Sequence, residues 1–197
     1  MPSRAKFNRD DVIDKAKDLY WEKGYHGTSM RALQEAIDMR PGSIYATFGS
    51  KDKLFSEALH RYAELGRERL QRCVAQSDTP LAGLKQFVHA LIIDSRDSAP
   101  SAMCMIVKSV AELTESDNPE LLAEAKTLLR RVESAIEQVL IDAKAQGELS
   151  EEQEPAELAR YLQVQIIGLR TYARACDDRL LIENMIDAVF SQPPIRT

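Results

Sequence analysis

Gly42, Ser43, Tyr45 and Thr47 lie within one short stretch, PGSIYATF, whose helical spacing would present them on one outer face. Hydroxyls of that kind donate to phosphate oxygens, and the methyls of Ala46 and Thr47 are of a size to meet a thymine. Gly42 lets the start of such a helix come close to a phosphate. Thr28 and Lys51 flank the stretch at expected helix N-termini, where backbone N–H groups favour anions. A second chemistry belongs to Cys104. Pro100 and Ser101 read as a break and an N-cap, which puts Cys104 near the third position of the next helix, where the positive end of the helix dipole favours thiolate. Lys108 follows four residues on, on the same face. Other groupings carry less. His26, His60 and His89 are scattered, so no metal site is expected. Ser/His/Asp arrangements, glycine-rich phosphate loops and paired carboxylates do not stand out, so neither a cofactor nor an enzyme is expected. A helical enzyme with Cys104 as nucleophile would still need a base and oxyanion donors that nothing supplies.

These residues need helices to position them. Apolar residues recur at helical spacing along most of the chain, and strand-like alternation is nearly absent. A first helix is expected from about Asp10 to Lys23, with Val12, Ala16, Leu19 and Tyr20 on one face. Ser29 reads as the N-cap of MRALQEAI, and Pro41 opens a very short helix to about Phe48, since proline suits the first helical position. Ser50 reads as the next N-cap, before a long helix from Lys51 into the low seventies. Further segments are expected at roughly 80–97, 101–114, 118–146, 154–176 and 179–191. The reading is an all-α protein of about nine helices: a three-helix head with a helix-turn-helix at residues 1–50, and a larger helical body at residues 51–197.

The chain has 197 residues, 29% of them charged and 44% hydrophobic, an ordinary globular composition with enough length for a core. Its net charge of −5 hides an asymmetry. Residues 1–53 hold ten Lys and Arg against eight Asp and Glu, and the rest hold sixteen against twenty-three. A mildly basic head therefore sits on an acidic body. No apolar run is long enough for a membrane span and no secretory signal is evident, so no membrane partner is expected. The 3 cysteines are widely spaced, which fits a reducing cytoplasm.

Residues 24–55, GYHGTSMRALQEAIDMRPGSIYATFGSKDKLF, resemble the DNA-binding head of the TetR family of transcriptional regulators. The resemblance lies in GY…GTSM, an alanine-containing helix, and then G-S-I-Y-x-x-F-x-S-K-x-x-L-F, and it covers about residues 8–70. It implies a dimeric, sequence-specific regulator of double-stranded operator DNA, a repressor released by a small molecule or by cysteine modification. It also implies DNA contacts from Thr28, Arg40, Gly42, Ser43, Tyr45, Thr47 and Lys51. Pro41 stands where many members carry a polar or basic residue, and Ala46 is smaller than usual.

For the body, the resemblance implies dimerisation through the last two long helices and a ligand cavity inside. Leu162, Ile166, Leu169, Ile182, Met185 and Ile186 supply apolar stripes, which would serve a monomer core equally. Candidate lining residues are Phe87, Leu91, Met103, Ile106, Gln165 and Tyr172, with plain core packing as the alternative. The stretch SAMCMIVKSVAEL is similar to the electrophile- and oxidant-sensing branch of the family, whose sensor cysteine aligns with Cys104. Arg174 stands where that branch has a lysine. An inert, buried Cys104 is the alternative, as is a helical interaction module whose head no longer reads DNA.

Overall fold

The computed structural model describes residues 8–96 and 98–195. Nine α-helices make up the described part, with no strand among these residues: α1 (Arg9–Lys23), α2 (Met30–Ile37), α3 (Pro41–Phe48), α4 (Lys51–Ala75), α5 (Pro80–His89), α6 (Met105–Glu112), α7 (Pro119–Ala145), α8 (Pro155–Ala175) and α9 (Arg179–Ser191). Local chemistry sets most of these ends. Asn8, Ser29, Ser50, Thr79 and Asp178 accept backbone N–H bonds as N-caps. Pro41, Pro80, Pro119 and Pro155 occupy the first turns of their helices.

Two departures from the sequence reading fall on either side of residue 97. The segment expected to run to residue 97 gives way to a π-helical turn at Ala90–Asp94, and its expected end lies outside the described residues. The next helix starts at Met105 rather than near residue 101, so Cys104 is its N-cap and not its third residue. Two carbonyls explain the late start. The Ala102 oxygen accepts from Arg170 Nε at 3.0 Å, and the Met103 oxygen accepts from Trp21 Nε1 at 2.6 Å. Both are drawn away from the positions a helical turn would require.

Two apolar cores form. In one, Tyr20, Leu33, Ile44, Phe48, Leu54 and Phe55 of the head pack with Met105, Ile106, Leu121 and Leu128, so α6 and the start of α7 close the head from below. The other joins α5, the far half of α7, α8 and α9 through Leu84, Phe87, Ile136, Leu140, Leu162 and Ile186. Helix α4 runs through both, with Leu54 and Leu59 in the first and Leu70 and Cys73 in the second. Where α5 crosses α4, the two backbones nearly touch. A Cβ on Gly83 would lie 2.5 Å from Val74 Cα and 3.1 Å from the Cys73 oxygen. Gly83→Ala should therefore lower unfolding stability by about 2 kcal/mol in urea titrations, the order of an overpacked backbone contact. At Gly66 a Cβ meets nothing within 4 Å, so Gly66→Ala should raise stability by about 1 kcal/mol through helix propensity.

Candidate nucleic-acid interface and body cavity

The reader unit is built from α2, a turn and α3. Leu33 and Ile37 anchor α2 in the head core, and Asp38 takes the left-handed conformation, φ 54°, at its end. Arg40 is extended, as the residue before a proline must be, and it caps α3. Ile44 and Phe48 face inward, while Pro41, Gly42, Ser43, Tyr45, Ala46 and Thr47 are exposed. Tyr45 keeps 49% of its surface open. Gly49, at φ 83°, ends the helix where a side chain would be strained.

Arg40, Gly42, Ser43, Tyr45 and Thr47 are thus all exposed on or beside α3. Two of the residues assigned to DNA lie elsewhere. Thr28 is fully buried, and its hydroxyl donates to the Gly24 carbonyl at 2.6 Å, so its side chain locks a turn and has no polar hydrogen to offer a phosphate. Lys51 Nζ donates to the Tyr25 carbonyl at 2.8 Å and sits 4.2 Å from the centre of the Tyr25 ring. Burial lowers its pKa, and its side chain braces the head. The motif spacing could not reveal either role, because both depend on where Gly24–Tyr25 folds back.

That fold-back is held from the body. The Tyr25 amide donates to Glu112 Oε1 at 2.7 Å, and Lys108 Nζ donates to the Trp21 and Glu22 carbonyls at 2.7 and 3.0 Å. Lys108 is therefore spent on the end of α1 and not on the Cys104 thiol. Arg174 does not reach that thiol either, its guanidinium lying 3.7 Å from Met103 Sδ.

Below the head, a cavity of about 560 Å³ opens between α4, α6, α7 and α8. Phe87, Leu91 and Ile106 line it, as does Cys104. Met103, Gln165 and Tyr172 do not. The Met103 carbonyl is held by Trp21, and Tyr172 stands on the outer surface of α8, 46% exposed. The sequence reading missed Tyr62, Gln163 and Arg170, which line the cavity in their place. The Tyr62 pKa is raised, mainly by burial and also by the Cys104 sulfur beside it. Among the described residues, no group of three His, Cys, Asp or Glu is placed to hold a metal ion. No helix among these residues is long and apolar enough to cross a membrane.

A short helix displayed on a two-helix unit, above a helical body with an internal cavity, defines a helix-turn-helix regulator rather than an enzyme. Residues 12–58 match bacterial regulatory proteins of the tetR family, and residues 80–189 match the tetracyclin repressor-like C-terminal domain. The chain belongs to the TetR family of transcriptional regulators, which bind operator DNA and are not enzymes. It is 29% identical to the HTH-type transcriptional regulator YezE of Bacillus subtilis over 97% of this chain and 98% of that one. It is 28% identical to the HTH-type transcriptional repressor ComR of Escherichia coli over 85% and 80% of the two chains. Among solved structures, a cysteine mutant of the TetR family regulator CifR, complexed with 26-base-pair operator DNA, superposes with a TM-score of 0.84 at 26% identity, covering 98% of this chain and 100% of that one.

The Tyr25 phenol donates to Asp52 Oδ1, and burial, this bond and the Asp52 charge together raise its pKa to about 12. An acid whose folded pKa exceeds its ordinary value near 10 lends stability while protonated and loses it as it ionises. The contribution should be intact below about pH 10 and fade toward pH 12. Urea midpoints at pH 9 and 11.5 should differ more for the wild type than for Tyr25→Phe.

Proposed function

We propose that this chain is a homodimeric repressor, with residues 1–50 reading double-stranded operator DNA and residues 51–197 sensing and dimerising. Release follows entry of a small molecule into the cavity or modification of Cys104. The observation that carries the DNA reading is the open face of α3, and Gly42 above all. A Cβ there would meet nothing within 4 Å, so the fold does not demand glycine, and an exposed helical glycine costs about 1 kcal/mol against alanine. On the exposed face of α3, close approach by a DNA phosphate would account for it. The solved complex of CifR with operator DNA supports the same use of this fold.

Two half-sites are read by two heads, so a dimer is required. Val164 and Leu180 on α8 and α9 are each 66% exposed, and Leu181 is 41% exposed. Each presents an apolar side chain outward that a second copy could cover. Leu169 is buried within the chain's own core, so an arginine there would unfold the body before it separated dimers. A signal from the cavity reaches α3 along α6. Cys104 caps it on the cavity wall, and Lys108 and Glu112 grip the residues that lead into α2.

The reduced wild type should run as a dimer in light scattering and shift the DNA upstream of its own gene. Tyr45→Phe should weaken that complex by about 1 kcal/mol, the value of one hydrogen bond. The Val164→Arg, Leu180→Arg double variant should be a folded monomer with little operator affinity. A wild-type monomer that binds no such DNA would overturn the reading.

N-Ethylmaleimide should release the reduced wild type from operator DNA and leave Cys104→Ser bound. Equal release of both proteins would reduce Cys104 to a packing residue and leave the cavity as the only sensing site.

A further inference from the structure

We infer that the body cavity takes a small, mostly apolar molecule bearing a carboxylate, with the carboxylate seated on Arg170. The inference rests on the proposed reading of this cavity as the inducer site and gives its occupant a chemical class. Arg170 projects from α8 and is only 6% exposed, yet a guanidinium keeps its charge at any physiological pH. Its Nε donates to the Ala102 carbonyl at 3.0 Å and its Nη1 to the Tyr62 hydroxyl at 3.3 Å. Both partners are neutral. Among the described residues no carboxylate pairs with it, and the remaining N–H donors of the fork have no protein acceptor. Buried charges are ordinarily paired, because desolvation penalises an isolated ion heavily.

The surroundings fit an anion with an apolar remainder. Arg69 and Arg131 also contribute to the lining, while Lys17, Arg67 and Arg72 there are already paired with Asp14 and Asp18, with Glu64 and with Glu68. Arg170 also walls a smaller recess of about 190 Å³ together with Arg96 and Arg174. Much of the remaining wall is apolar, with Leu91, Ile106, Ile136 and Ile166, beside the polar Tyr62, His60 and Gln163, and a volume near 560 Å³ suits a small molecule. Gln163 Oε1, buried beside the same wall, has no hydrogen-bond partner in the protein. A planar guanidinium fork matches a carboxylate in two parallel bonds. A phosphorylated sugar or nucleotide would set its remaining polar groups against this apolar wall.

The test compares decanoate with decanamide, which share shape and chain length and differ in charge. Trp21 is the only tryptophan and lines the cavity, so its fluorescence reports occupancy in the full chain directly. The wild type should bind decanoate at least about tenfold more tightly than decanamide, the order expected of hydrogen bonds to a charged group. Arg170→Gln should remove that preference while leaving decanamide affinity within about threefold, and Arg170→Lys should restore part of it. Circular dichroism checks that both variants fold, and the wild-type comparison needs no variant at all. Equal affinity for the two probes, a preference for decanamide, or no binding of either at millimolar concentration would overturn the inference. A parallel titration of labelled operator DNA separates the two readings. Preferential decanoate binding without operator release upholds the carboxylate site and removes the cavity as inducer site. Operator binding and release by N-ethylmaleimide, with no preference for decanoate, overturns the carboxylate site alone.

Discussion

The grip of α6 on the end of α1 is the contact on which the rest of the molecule depends. Tyr25 closes the head core and also begins the turn into α2, so its position sets where the reader unit lies. Glu112 holds its amide, Lys51 holds its carbonyl and Asp52 holds its phenol. Lys108 and the Met103 carbonyl fix Trp21 just before it. Each of these bonds is modest on its own, about 1 kcal/mol or somewhat more where a charge takes part. Together they leave Tyr25 one place to go. Without them, α2 and α3 would hang from α1 and α4 mainly by apolar contacts, which tolerate small rotations.

The same grip explains which functional residues were legible in the sequence and which were not. The helices of the head were legible because their ends are written locally: Ser29 and Ser50 cap, Pro41 starts and Gly49 stops. The exposed face of α3 followed from periodicity, since Ile44 and Phe48 must point inward. Thr28 and Lys51 have the residue types of anion contacts, yet a tertiary fold-back uses both side chains. Local capping rules misplaced the start of α6 for a related reason. Pro100 and Ser101 are good starting signals, but Arg170 and Trp21, far away in the chain, claim the carbonyls of Ala102 and Met103.

The cavity was the least legible part, for a geometric reason. Helical periodicity separates inward from outward positions but not a filled interior from an empty one. Met103 and Tyr172 have the composition of a pocket and lie outside it, whereas Arg170 has the composition of a surface and lies inside. What marks Arg170 is an energetic conflict visible only once the chain is folded: a fixed, buried charge whose two hydrogen-bond partners are neutral.

That conflict connects the cavity to the grip. A ligand shifts a conformational equilibrium only as far as it binds one state better than the other. The Arg170 Nε holds Ala102, the Met103 carbonyl next to it holds Trp21, and Cys104 after that caps α6. Three consecutive residues therefore join the cavity wall to the end of α1. Under the proposed function, an anion that competes for the guanidinium, or an adduct on the thiol, would act on the same short segment from two sides. Either one would disturb Met103, whose carbonyl accepts from Trp21. Two chemically unrelated inputs would then need no separate route to the DNA-reading face, because both would pass through the single turn at residues 102–104 that precedes α6.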